Sequence, residues 1–299
     1  MKVTIILNGI SRRKKQFYQH IFPVLKRNFE TQILETQSPG HAFSLAQQIS
    51  NREADVLLSA GGDGTLNQVL NGLLNKQSNL LPILGVIPLG TGNDFARMCK
   101  VKPDGNQIAE MITSGKFQST DVGKIVCSGY AGEEIVRYFI NVCSVGMGPE
   151  VVQRLTHSNR SLGPTLTYFK AIVQTFFSHK PQPLVLQTDL WSWTGNARVV
   201  AIANGQSFGS GLFIAPDADP ADGELNVFVA GDLPLLKFLL YQQALKGKKK
   251  VNDPKIRYAI SKAIKLSSEQ KTIIEAEGEI QGYLPAVIEA VPQAIRILR

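Results

Sequence analysis

Asp55-Val56-Leu57-Leu58-Ser59-Ala60-Gly61-Gly62-Asp63-Gly64-Thr65-Leu66-Asn67-Gln68-Val69-Leu70 decides the fold class. Residues 55–59 read as a buried strand running into glycines. Leu66, Val69, Leu70, Leu73 and Leu74 then recur at helical spacing. Strand, glycine turn and helix together make a βα unit. Glycines at such a turn let the backbone approach a ligand closely, and the helix start presents unpaired N–H groups to an anion. Asp63 and Thr65 are equally suited to cap the helix. A doubled glycine ahead of an acid is less well explained by capping. A carboxylate at that place repels phosphate unless a magnesium ion bridges the two.

The same unit recurs on either side. Residues 82–88 read as another buried strand, ending in Leu89-Gly90-Thr91-Gly92-Asn93-Asp94 and followed by a helix over 94–98. Upstream, 3–7 and 31–35 read as strands, and 41–49 as a helix. Phe17, Ile21, Val24, Leu25 and Phe29 give 16–29 a helical period. Repeated βα units predict an α/β domain with a parallel sheet and flanking helices. Two glycine loops at the carboxyl ends of strands in one such sheet would line one crevice. No G-x-x-x-x-G-K-[ST] is present, which excludes a P-loop enzyme, and no G-x-G-x-x-G follows the opening strand, which weakens a dehydrogenase reading.

After about Asp121 the texture changes to short β-rich runs: 123–127, 136–144, 183–187, 198–204, 225–230, 263–267 and 271–275. Turn signals such as Asn204-Gly205 and Asp222-Gly223 separate several of them, which predicts a mostly antiparallel, β-rich second domain. Helical stretches at 166–177 and 234–245 interrupt it. The second is unusually apolar, with Leu235, Leu236, Phe238, Leu239 and Leu240, and precedes a lysine cluster at 246–250. Burial in the second domain's core is the simpler reading of that helix.

The 299 residues suffice for two ordinary domains. No apolar run reaches the ~20 residues a spanning helix needs. The opening apolar run stops at Asn8-Gly9 and is followed, not preceded, by Arg12, Arg13, Lys14 and Lys15, the wrong order for a secretion signal. The expected location is cytoplasmic. Cys99, Cys127 and Cys143 lack CxxC spacing and read as reduced thiols, and the four histidines lack metal-ligand spacing. A net charge of +8 suits nucleic acid, an anionic membrane or phosphorylated substrates. No nucleic-acid motif accompanies the basic clusters, so no nucleic-acid partner is expected.

Gly61-Gly62-Asp63-Gly64-Thr65 with Gly90-Thr91-Gly92-Asn93-Asp94 resembles the diacylglycerol kinase catalytic-domain family, especially its small bacterial soluble lipid kinases. The likeness runs nearly the full length. Asn8-Gly9 stands where the family usually has Asn-Pro. Thr36 follows the second strand where the family places a nucleotide-contacting threonine. Asp121-Val122-Gly123 matches the family's Asp-x-Gly element. Asn204-Gly205, Gly209-Ser210-Gly211, Pro216 and Asp222-Gly223-Glu224-Leu225 match the second domain's signature. Glu277-Gly278-Glu279 matches the closing Asp-Gly-Glu segment, with Glu in place of the first acid.

The resemblance implies a cytoplasmic, ATP- and Mg2+-dependent lipid kinase with peripheral access to the inner face of the membrane, where its lipid substrate lies, and it leaves room for a homodimer. ATP would be held by Asn8, Thr36, Gly61, Gly62, Asp63, Gly64, Thr65, Leu66, Asn67, Gln68, Gly90, Thr91 and Asn93. Asp63, Asp94 and Asp121 would surround the catalytic magnesium. Asp222, with the carbonyls of Asp219 and Glu224, would hold a second, structural one. Glu279 would be the general base, beside Asp63 in the catalytic set. The residues alone leave Asp222-Gly223 open as a hairpin turn and Glu279 as a surface acid. The ATP-binding domain would span 1–122, joined by the tail 289–299, and the lipid-substrate domain 123–288. NAD kinase is the nearest rival, because it shares the Gly-Gly-Asp-Gly-Thr loop, but the expected Asn-Glu and Thr-x-x-Gly-Ser-Thr elements are missing here. A nucleotide- or lipid-binding regulator without turnover is the non-enzymatic alternative.

Overall fold

A computed structural model describes residues 1–49, 54–75, 81–157, 164–209 and 211–299. The chain divides into two compact units, Met1–Val122 with Pro292–Arg299, and Gly123–Val291.

The first unit is built on four parallel strands in the order β2–β1–β3–β4. They are β1 (Lys2–Leu7), β2 (Glu30–Glu35), β3 (Val56–Gly61) and β4 (Ile83–Pro88). Every residue of β3 and all but the first of β1 and β4 are buried, which is why these strands read as largely apolar runs. β2 is an edge strand and carries Glu30, Gln32 and Glu35 accordingly. Between strands run α1 (Lys14–Gln16), a π-helical turn (Phe17–Ile21), α2 (Phe22–Asn28), α3 (His41–Gln48) and α4 (Asp63–Leu74). α5 (Asp94–Met98) follows β4, and then comes α6 (Gly105–Ser114). Sequence reasoning did not find α6, although Asp104 caps it by accepting from the Asn106 and Gln107 N–H groups. β5 (Phe117–Ser128) ends the first pass through this unit.

The second unit is antiparallel. It contains β6 (Glu134–Phe139), β7 (Val142–Gly146), α7 (Met147–Thr156), α8 (Pro164–Ser178), β8 (Gln182–Thr188) and β9 (Ser192–Ala203). Then come β10 (Leu225–Gly231), α9 (Leu235–Lys246), β11 (Ile256–Ser261), β12 (Ala263–Ser267), β13 (Ile273–Ala276) and β14 (Glu279–Leu298). β9 pairs with β8, β8 with β12, β12 with β14, β14 with β13, β13 with β7, and β7 with β9. That circuit closes on itself and leaves those strands few open edges. Leu184, Leu186, Ile202, Ile264, Leu266 and Ile288 are among the side chains of its core.

Three expectations change here. The run 136–144 is two strands, because the backbone N–H groups of Ile140 and Asn141 turn aside to bind the Glu277 carboxylate. Asn204-Gly205 and Asp222-Gly223 do separate strands, but Asp222-Gly223 is not a hairpin turn, since the two pairs stand at opposite ends of the connection between β9 and β10. The apolar helix α9 is not core: of its residues only Leu245 is buried. The three thiols are free, and burial raises all of them, Cys99 to about 11. Among the described residues no helix is long and apolar enough to cross a membrane.

Candidate functional site

In the first unit the carboxyl ends of all four parallel strands meet through their loops. After β1, Asn8 donates from Nδ2 to Thr65 Oγ1 at 3.0 Å, and Ser11 Oγ donates to the Leu89 carbonyl at 3.1 Å. After β2, Thr36 Oγ1 accepts from the Gly9 N–H at 3.1 Å. That last bond accounts for the departure from Asn-Pro. Proline has no N–H to donate. A Cβ on the backbone of Gly9 would also run into the Thr36 carbonyl oxygen.

The two glycine loops support one another. The N–H groups of Leu89 and Gly90 both donate to the Gly61 carbonyl, at 2.8 and 3.1 Å. A Cβ at Gly90 would overlap the Cα of Gly62. Part of the glycine requirement is therefore internal packing, independent of any ligand. Asn93, at φ 52°, closes its loop by exchanging two hydrogen bonds with Gly90, 3.1 Å at Oδ1 and 2.8 Å at Nδ2.

Neither Asp63 nor Thr65 caps α4, whose N-cap is Gly62 with no side-chain bond. Asp63 instead accepts from the Phe95 N–H of α5 at 3.3 Å. Burial raises the Asp63 carboxyl above its ordinary value, and the neighbouring Asp94 carboxylate raises it further. Asp94 is buried and accepts from Arg97 at 2.7 Å, while the same guanidinium donates to the Gly92 carbonyl at 2.7 Å. Two carboxylates so placed favour a cation between them. Asp121 is buried and accepts from the Gln293 N–H at 2.7 Å, a bond that ties β5 to the end of β14. Among the described residues no group of three or more His, Cys, Asp or Glu side chains gathers tightly enough to hold a metal by itself. Asp63 and Asp94 could hold a magnesium ion only together with ligand phosphate and water.

The remaining nucleotide candidates differ in what they present. Gly62, Asp63, Gly64 and Gln68 are partly exposed, as are Gly90 and Asn93, and Thr91 is exposed. Leu66 and Asn67 turn inward, and Asn67 Oδ1 accepts from Asn71 at 2.9 Å. Sequence reasoning left the 12–15 cluster undecided; Arg12 and Arg13 stand exposed on the loop after β1, at this same rim.

In the second unit the Glu277-Gly278-Glu279 turn joins β13 to β14, with Glu279 exposed at the first position of the strand. Glu277, at φ 55°, accepts from the Ile140 N–H at 3.0 Å, the Asn141 N–H at 2.6 Å and Asn141 Nδ2 at 3.0 Å. Asn204 extends this lattice by donating from Nδ2 to the Ile140 carbonyl at 2.9 Å. On the loop before β10, Asp219 Oδ1 accepts from the Ala221 N–H at 3.1 Å and Asp222 Oδ1 from the Glu224 N–H at 2.9 Å. These side chains shape their own turns. Ser210 lies outside the described residues.

Glu275 is a participant that sequence reasoning missed. Fully buried in β13, it accepts from Ser144 Oγ and, at 3.0 Å, from the Gly278 N–H of the same turn. Burial pushes its carboxyl up to about 7, against the opposing pull of those two bonds. Below pH 4.5 it is protonated whether the chain is folded or not. Between there and about 7 the unfolded chain releases the proton and the folded one keeps it, so stability falls as pH rises. Glu275→Gln, which can keep both partners, should remove that decline and add roughly 3 kcal/mol above pH 7. Urea melts from pH 4 to pH 8 check it; a wild-type stability that is flat over that range contradicts it.

Comparisons with known proteins bear on both units. Residues 2–125 match the diacylglycerol kinase catalytic domain, and residues 141–299 match the YegS C-terminal NAD kinase beta sandwich-like domain. A diacylglycerol kinase of Bacillus subtilis (strain 168) is 29% identical over 290 residues, 95% of this chain and 91% of the relative. One from Staphylococcus aureus (strain MRSA252) is 29% identical over 280 residues, 93% and 85%. The crystal structure of a diacylglycerol kinase from Bacillus anthracis str. Sterne shares the fold, with a TM-score of 0.73, 22% identity, and coverage of 99% of this chain and 96% of that one. The chain belongs to the kinase family that joins a diacylglycerol kinase catalytic domain to a YegS C-terminal NAD kinase beta sandwich-like domain.

Proposed function

We propose that the chain transfers the γ-phosphoryl group of ATP to the hydroxyl of a lipid alcohol such as diacylglycerol, working from the cytoplasm at the membrane surface. The observation that carries this reading is the meeting of the Gly61–Thr65 and Gly90–Asp94 loops, with Asp63 beside Asp94. The N–H groups at the start of α4 point where the helix has no partner for them, a place suited to phosphate oxygens. Magnesium, when bound, neutralises the charge that grows on the transferring group. Asp63 and Asp94 hold it, with Asp121 lending a buried negative charge. Thr36, Asn8 and Thr65 brace the nucleotide loops. Glu279 takes the proton of the acceptor hydroxyl, on a turn that Glu277 and Glu275 hold rigid. Asp222, with the Asp219 and Glu224 carbonyls, holds the structural ion.

Incubating the chain with γ-labelled ATP, Mg2+ and a panel of acceptors tests the reading. Diacylglycerol, phosphatidylglycerol and a sphingoid base would be presented in mixed micelles, with NAD as a soluble competitor. Label in a lipid is expected. Label in NAD alone would move the assignment to NAD kinase, and label in none of them would favour a regulator without turnover.

A further inference from the structure

Helices α8 and α9 touch through Phe176 and Phe238, whose ring centroids lie 5.2 Å apart. Ala171, Ile172 and Phe176 of α8 pack with Met147 and Val151, and Leu235 and Phe238 of α9 join that cluster. Each helix nevertheless keeps a second apolar set in solvent. On α8 these are Leu166, Phe169 and Phe177, exposed by 61%, 48% and 72%. On α9 they are Leu236 and Leu240, one turn apart and exposed by 72% and 58%. Scattered exposed leucines need no explanation, but five large apolar side chains on two touching helices do.

Charge identifies what covers them. No acidic residue occurs between Glu150 and Asp189, or between Asp232 and Asp253, the stretches that contain both helices. The same stretches hold Lys170, Lys180, Lys237 and the cluster at 246–250. Asp253 engages Lys237 and Asp217 engages Lys250. Among the described residues Lys170, Lys180, Lys246 and Lys249 have no acidic partner. A second copy of the chain would set one lysine cluster against another with nothing to neutralise it. Nucleic acid would satisfy the lysines and leave Leu236 and Leu240 in water. An anionic bilayer meets both demands, since it offers acyl chains and negative headgroups at adjoining depths.

We propose that the α8–α9 face is a docking surface for an anionic lipid bilayer, with the apolar stripes seated among the headgroups and Lys246 and Lys249 held by their charge. The purpose of such docking rests on the lipid-kinase reading, but the docking is measured without turnover. The full-length chain would be floated with vesicles of phosphatidylcholine alone and of phosphatidylcholine with phosphatidylglycerol, at low and at high salt. Binding to the anionic vesicles that weakens with salt is expected. Lys246→Gln and Lys249→Gln should each lower partition about fivefold, and Leu236→Gln with Leu240→Gln should lower binding that remains at high salt. All four positions are exposed, so melting temperatures should not move. Absence of vesicle binding at low salt overturns the proposal, as does binding untouched by both variant pairs. A dimer abolished by the leucine variants, with vesicle binding intact, would assign the face to a second copy. If no lipid is phosphorylated but vesicle binding behaves as described, the kinase reading fails and the docking surface stands.

Discussion

Glu279→Gln is expected to reduce phosphoryl transfer by on the order of 10²–10⁴-fold, the range for loss of a positioned general base, with ATP binding and melting temperature unchanged. The reason lies in the turn. Glu279 is exposed at the head of β14 and carries little of the fold's packing. The neighbouring acids do that work: Glu277 gathers three donors from Ile140 and Asn141, and Glu275 holds the Gly278 N–H from inside. Glutamine matches glutamate in shape and cannot accept the acceptor hydroxyl's proton. Glu277→Gln makes the contrast, because charge-assisted bonds are roughly twice as strong as neutral ones. It should lower stability and activity together. Single-turnover rates with ATP and the preferred lipid, beside thermal melts, separate the two. Undiminished transfer by the Glu279→Gln protein would remove Glu279 from the base role.

Asp63→Asn should move activity and stability in opposite directions. Burial and the nearby Asp94 carboxylate raise the Asp63 carboxyl, so the folded chain disfavours its ionised form. The contribution of Asp63 to stability is full below its ordinary range near 3.8 and is lost as pH rises through the folded value. Asparagine removes that penalty and can still accept from the Phe95 N–H, so the variant should melt higher at neutral pH. Without the charge, magnesium and the transferring phosphate lose a partner, and the rate should drop by on the order of 10²–10³-fold. Added Mg2+ should raise the melting temperature of the native chain and leave the variant unmoved. A variant that loses both stability and activity would mark Asp63 as a structural cap of α5 and nothing more.

The parts of the fold legible in the sequence are those whose side chains are buried on two faces. β1, β3 and β4 read directly because no charged residue interrupts them after Lys2 and their only hydroxyls, Thr4 and Ser59, are small and buried, and the glycine loops followed from their ends. The signal for α6 was present but faint: Gly105, Ile108, Ala109 and Ile112 recur at i, i+3, i+4 and i+7 behind the Asp104 cap, and only the two isoleucines are large and apolar. β14 was missed because Pro285 and Pro292 break its pattern and its residues pair in turn with β13, β12 and β4. The site divided likewise. Asp63 and Asp94 sit on loops whose spacing announces them. Glu277's clamp joins residues 136 positions apart, and Glu275 looks like any acid in a short strand until its burial is known.

The bond between the Gln293 N–H and Asp121 also orders events during synthesis. The first unit is interrupted, and Pro292–Arg299 reaches it only after Gly123–Val291 has been made. At ribosomal speeds of ~5–20 residues per second, that delay is roughly 10–30 s. Throughout it β4 lacks the neighbour that Ile297 brings to Leu84, and Asp121 lacks the Gln293 N–H. The half that begins first is therefore completed late, and a nascent chain should acquire ATP affinity only once residues 292–299 have emerged.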